Sequence, residues 1–361
     1  MTICAGQAPP DDPTPAVSST GAPLPAATPA ARLPRADALT DALLGAGEEG
    51  ARLTDAGILS VVERLEQGLD DAVAGACREE GAPLHGAAPA RLIRIGHYQV
   101  ARALDSLPGG PVPARHADST GGFRWTARTA RRAIGLAALR AGLDGRAAAP
   151  AEAVGLVLSE PGGPYGVGRA GPGSCADWIT ALAPPARALV ASEASGWVTR
   201  LWTGLDWSRL PPEDLVVGGP DRWWRWRGTW PAPSGHRERG SAGPGPSTFE
   251  LALRGRADVR IVPSGCRGAP GGAHLVVLDG CPGPGTRHAL LLSALVAVLP
   301  TRRPTRPATA PGRVVGWWPE CGRAWIVRVD ARTLALASEA VVAAASAMVR
   351  SGAPGGSPFG R

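Results

Sequence analysis

From Phe249 to Pro263 apolar and charged side chains alternate with a period of two. Leu253, Gly255, Ala257, Val259 and Ile261 fall on one face, and Arg254, Arg256, Asp258 and Arg260 on the other. That is the period of a strand buried on one side. Leu275 to Asp279 is apolar up to its terminal acid, as expected of a strand covered on both faces. Thr286 to Leu299 is apolar almost all round, which predicts a helix buried against that sheet. Upstream, Trp223-Trp224-Arg225-Trp226-Arg227 alternates again and reads as a strand opening the sheet. Trp224 and Trp226 are expected to pack inward, with arginine covering the outer face; the alternative is a surface of Trp and Arg that stacks bases and holds phosphates.

The first half carries helical periods instead. Ile58, Val61, Val62, Leu65 and Leu69 recur at three- and four-residue steps behind Thr54, a candidate N-cap. Leu92 to Leu107 is a further amphipathic helix candidate containing His97 and Tyr98. Phe123 to Gly145 reads as a basic helix ending at a glycine, with Arg128, Arg131 and Arg132 on or near one face and Ile134, Leu136 and Leu139 contributing to the other. Pro150 to Leu158 is a short helix, and Pro161 to Gly173 a Gly-rich linker. Its Gly-x-Gly follows no clear strand and precedes no phosphate-loop lysine, which excludes a nucleotide-binding loop. In Ala186 to Trp207 a broad apolar stripe runs from Val190 through Trp197 and Trp202 to Leu205. Residues 1–35, rich in Pro, Ala, Ser and Thr, and residues 351–361 read as disordered tails.

These residues resemble a known pattern. Gly255-Arg256-Ala257-Asp258 matches the Gly-x-Ala-Asp strand, and Leu278-Asp279-Gly280-Cys281 stands where apolar-Asp-x-Lys would follow, in the RecB-like branch of the PD-(D/E)XK nucleases. The resemblance covers roughly the second half of the chain. It implies two further strands, Gly312 to Pro319 and Arg323 to Asp330, and a closing helix from about Ala331 to Val349. The implied fold is α/β: a mixed central sheet flanked by helices, the restriction-endonuclease-like core, behind a helical N-terminal half. The organisation expected is a tail (1–35), a helical region (36–160), the α/β core (174–350) and a second tail (351–361).

In that family two carboxylates hold a divalent metal, usually magnesium, and a lysine stands near the attacking water. The resemblance assigns the carboxylates to Asp258 and Asp279. The lysine position is Cys281, and the chain contains no lysine at all. Arg256 and Arg260 flank Asp258 on its own strand face, where ion pairing competes with a metal. A helix before the core often supplies a further ligand in active relatives, but Ile134-Gly135-Leu136 stands at the nearest alignment. The site therefore reads as dismantled.

Composition adds less. With 44% hydrophobic residues, 361 residues can bury one large core or two smaller ones. Net charge is +7, all of its basic side arginine, which permits an acidic partner; a GC-rich coding bias would give the same excess. The six cysteines form no C-x-x-C pair and the six histidines no ligand spacing, so neither a zinc nor an iron–sulfur site is read, and the cysteines read as reduced single thiols. Gly-x-Ser-x-Gly is missing, and Cys281 with His274 or His288 would make a dyad only by accident of fold. No signal peptide or membrane span is legible, and a soluble cytoplasmic protein is expected.

The reading is a catalytically silent nuclease-like protein that binds nucleic acid or a protein partner in DNA processing, without cofactor unless the old site still holds magnesium. The candidate nucleic-acid contacts are Arg128, Arg131, Arg132, Arg225, Arg227, Arg254 and Arg256. Two alternatives stand beside it: an active metal-dependent nuclease with an atypical site, and a protein-interaction module with no nucleic-acid role.

Overall fold

The computed structural model of the chain describes residues 36–45, 53–80, 91–95, 100, 125–219, 221–230, 247–262, 272–283, 286–300 and 310–350. Both tails expected from the sequence lie outside these residues. In chain order the elements are α1 (Ala36–Leu44), α2 (Asp55–Glu80), β1 (Arg91–Ile95), α3 (Ala127–Leu143), α4 (Pro150–Ser159), α5 (Cys175–Thr180), α6 (Pro184–Gly204), β2 (Leu215–Val217), β3 (Arg222–Trp230), β4 (Ser247–Gly255), β5 (Val259–Ile261), β6 (Ala273–Val277), α7 (Thr286–Val298), β7 (Arg313–Trp318), β8 (Arg323–Arg328) and α8 (Ala331–Arg350). The protein is mixed α/β, and its first half is largely helical.

The strands form two sheets. One has five strands in the order β2-β5-β6-β7-β8, with β6 and β7 parallel and the other pairs antiparallel. The second has three, β1-β4-β3, with β1 parallel to β4 and β3 antiparallel to it. Parallel neighbours need a crossover, and α7 supplies the one between β6 and β7. β7 is buried along its whole length. It sends Val315 and Trp317 to one face of the sheet and Val314 and Trp318 to the other.

Each face of the large sheet carries its own core. On one face α1, α3, α4 and α6 pack through Leu39, Ile134, Val154 and Trp197 against Val259, Leu275 and Val315. On the other, α7 lies between the two sheets. Leu290, Leu295 and Val296 meet Trp224, Leu251 and Leu253 of the small sheet together with Val314 and Trp318 of the large one, and α2 and α8 close this core. A helix covered on every side has no solvent face to keep polar, which is why α7 shows no amphipathic stripe. Its close approach depends on two glycines. A Cβ at Gly255 would lie 2.7 Å from Val296, and one at Gly316 would lie 2.6 Å from Leu290.

Two expectations are corrected. Phe249–Pro263 is not one strand: β4 ends at Gly255, and the chain crosses at residues 256–258 into β5 of the other sheet. The alternation runs through the break unchanged, so the period conceals it. The helix expected from Leu92 begins instead as a strand, because Arg91–Ile95 pairs in parallel with Phe249–Leu253. Residues 96–99 and 101–107 of that expectation lie outside the described residues. Elsewhere the helices and strands fall within a few residues of their expected ends. The basic helix starts four residues later than expected, where Thr126 and Thr129 form a reciprocal N-terminal cap.

Candidate functional site

The crossing segment puts Asp258 at the start of β5, with no side-chain exposure. Its backbone continues the sheet: its N–H donates to Leu275 O at 2.7 Å, and its carbonyl accepts from Gly218 N–H at 2.7 Å. The side chain turns toward the end of β6 and is surrounded by donors. Arg132 Nε donates to Oδ1, as does Arg256 Nη2 at 3.4 Å. Arg256 Nε donates to Oδ2 at 3.1 Å, and the Val277 N–H donates to the same oxygen at 2.7 Å. A carboxylate offers about four lone-pair sites, and here all four are taken. Arg256 is fixed in turn by donating from Nη2 to Val277 O at 2.6 Å.

Asp279 lies two residues beyond β6, at the rim and more exposed. Arg131 Nη2 donates to its Oδ1 at 2.6 Å, and Arg128 Nε lies 3.5 Å from Oδ2. The fold thus brings both motif acids to one end of the β5–β6 pair and lays the arginine face of α3 across them. Arg260, the other flanking arginine, makes no ion pair with Asp258. It reaches back toward Gly218 O at 3.4 Å.

These residues do not fit a divalent cation. Both oxygens of Asp258 already accept from guanidinium or amide donors, and two arginines converge on it. No group of three or more His, Cys, Asp or Glu side chains among the described residues is arranged to hold a metal ion. The chemistry of this cluster is that of arginine and carboxylate. Ile134 and Gly135 are buried in the first core with the Trp197 ring against Gly135.

The arginines extend beyond the two acids. Arg132 also approaches Asp221, at 3.8 Å, and Asp221 accepts from Arg254 Nε at 2.6 Å. Arg254 stacks on Trp223, its cross-strand partner, with 5.7 Å to the ring centre. Further along β3, Arg225 and Arg227 both reach Glu250, at 2.8 and 3.3 Å. Trp224 and Trp226 are buried and Trp223 is exposed, so one tryptophan of the three faces solvent beside the arginines. Asp221 and Glu250 were not singled out from the sequence. Each lies far along the chain from the cations it collects, and nothing local marks it.

Cys281 is exposed. Burial, with the neighbouring Cys281 thiol as a further cause, raises the Cys321 pKa. His274 is partly buried on β6 opposite Arg260, and burial, with Arg260 and Arg222 nearby, pushes its pKa down to about 4. His288 is buried in α7. The remaining histidines lie outside the described residues.

Comparison with protein-family models, with curated proteins and with solved structures finds no match. No helix among the described residues is long and apolar enough to cross a membrane.

Proposed function

We propose that the protein is a catalytically silent relative of the RecB-like PD-(D/E)XK nucleases that binds nucleic acid through an arginine surface. The observation that carries this reading is the saturation of Asp258. The acid that would bind metal in an active relative is clamped by Arg132, Arg256 and the Val277 amide instead. Three further features support the kinship. Asp258 and Asp279 flank adjacent strands of one mixed sheet, a buried helix follows the second acid, and two more strands complete the order.

Binding is supported by charge. Arg128, Arg131, Arg132, Arg225, Arg227, Arg254 and Arg256 are seven cations set against four carboxylates, Asp221, Glu250, Asp258 and Asp279. The strip keeps three uncompensated positive charges and carries an exposed tryptophan face, the combination that holds phosphates and stacks a base. DNA is the partner the family resemblance implies; a protein partner in DNA processing is the other reading of the same surface.

The test is a cleavage assay on single- and double-stranded DNA with magnesium and with manganese. Wild type is expected to show no turnover above background, because losing a positioned general catalyst alone costs about 10² to 10⁴ in rate. The expectation extends to Cys281→Lys, since a lysine restored there still faces a carboxylate closed by arginine. Wild-type cleavage that disappears in Asp279→Ala would overturn the proposal and establish an active nuclease.

A further inference from the structure

The parallel pair β6–β7 brings together two residues that no sequence spacing connects. Val277 pairs with Trp317 at the end of this ladder, and the Leu278 N–H still donates to Trp317 O at 2.8 Å beyond it. Cys281 and Cys321 each stand four residues past that last pair, one in the bend after β6 and the other in the β7–β8 turn. Gly280, with φ of +72°, turns the first chain, and its N–H donates to Glu320 Oε2 at 3.0 Å. The second chain makes the β7–β8 turn, where Cys321 Sγ lies 3.9 Å from Trp318 O. The two thiols are near enough that Cys281, after burial, helps to raise the Cys321 pKa.

We propose that Cys281 and Cys321 are a redox pair that closes reversibly into an intramolecular disulfide, tying the exit of β6 to the β7–β8 turn. Their surroundings divide the labour. Cys281 is exposed and open to an oxidant, whereas Cys321 is partly covered and placed to resolve what forms there. With a peroxide, Cys281 Sγ attacks one oxygen, the O–O bond breaks and one water leaves, giving a sulfenic acid. Cys321 Sγ then attacks that sulfur, the S–O bond breaks, and the second oxygen leaves as water. Two thiols and one peroxide become one disulfide and two waters, the sulfurs oxidised and the oxygens reduced. A dithiol reverses it by exchange.

The bond would fix the segment Asp279-Gly280-Cys281 against the hairpin, and Asp279 is the acid on which Arg128 and Arg131 rest. The third described thiol, Cys175, is buried in the other core, where burial pushes its pKa up to about 12. It takes no part.

The experiment treats the full chain with hydrogen peroxide and digests it with trypsin without reduction. Cys281 then lies in the peptide 268–287 and Cys321 in 314–323, both free of other cysteines. The expected product is the two peptides joined, two hydrogens lighter than their sum, and separated again by dithiothreitol. In Cys321→Ser the resolving thiol is gone, and Cys281 should accumulate a dimedone adduct that wild type does not. Two copies of 268–287 joined to each other, or Cys281 oxidised to sulfinic acid while Cys321 stays free, would overturn the pairing. So would equal dimedone labelling of Cys281 in wild type and Cys321→Ser.

Discussion

At the residue scale the molecule turns on Asp258. A buried carboxylate is costly unless it is paired and hydrogen-bonded, and four donors meet that requirement here. Removing its charge leaves Arg132 and Arg256 converging on a neutral side chain. Asp258→Asn keeps the volume and should destabilise the fold by about 3 kcal/mol, read as a shift in the denaturant midpoint. A loss near zero would mean that the cluster is not what holds this end of the sheet. His274 makes a separate prediction. Its folded pKa of about 4 lies below the ordinary 6.5, so the native state keeps the ring neutral while the unfolded chain takes up a proton. Stability is therefore full above about pH 6.5 and falls as the pH drops from there to about 4, by up to about 3 kcal/mol. In His274→Gln that part of the pH slope should vanish.

At the element scale the sequence disclosed the parts whose environment is uniform. α7 is apolar all round because it is buried all round, and β7 is apolar on both faces because a core lies on each side. Other parts are set by distant partners. β1 pairs with β4 across more than 150 residues, and Leu92, Ile93 and Ile95 satisfy a helical period as well as a strand period. The break at residues 256–258 preserves the alternation and so leaves no mark in it. Of the candidate site, Asp258, Asp279 and the arginines were legible as residues. Their pairing was not, because Arg132 and Asp258 are 126 positions apart. Glycine at 316 is the element-scale test. Gly316→Val pushes a branched side chain into Leu290 of α7 and should cost at least about 1–3 kcal/mol through overpacking. Full stability in that variant would show that α7 does not sit against β7.

At the scale of the whole molecule, α3 and strands of the small sheet present arginines that gather on four acids. Asp221 links α3 to β4, and Glu250 gathers the arginines of β3, so the acids order the cations without cancelling them. The central claim, that this strip binds nucleic acid, is tested most directly by fluorescence anisotropy of a labelled DNA oligonucleotide as salt is raised. Three uncompensated charges predict a slope of log affinity against log salt of about −2 on a single strand and nearly −3 on a duplex. Affinity should then weaken between about twentyfold and fortyfold from 50 to 200 mM salt, with the oligonucleotide recovered intact. Anisotropy that does not change even at the lowest salt, or binding indifferent to salt, would contradict the account.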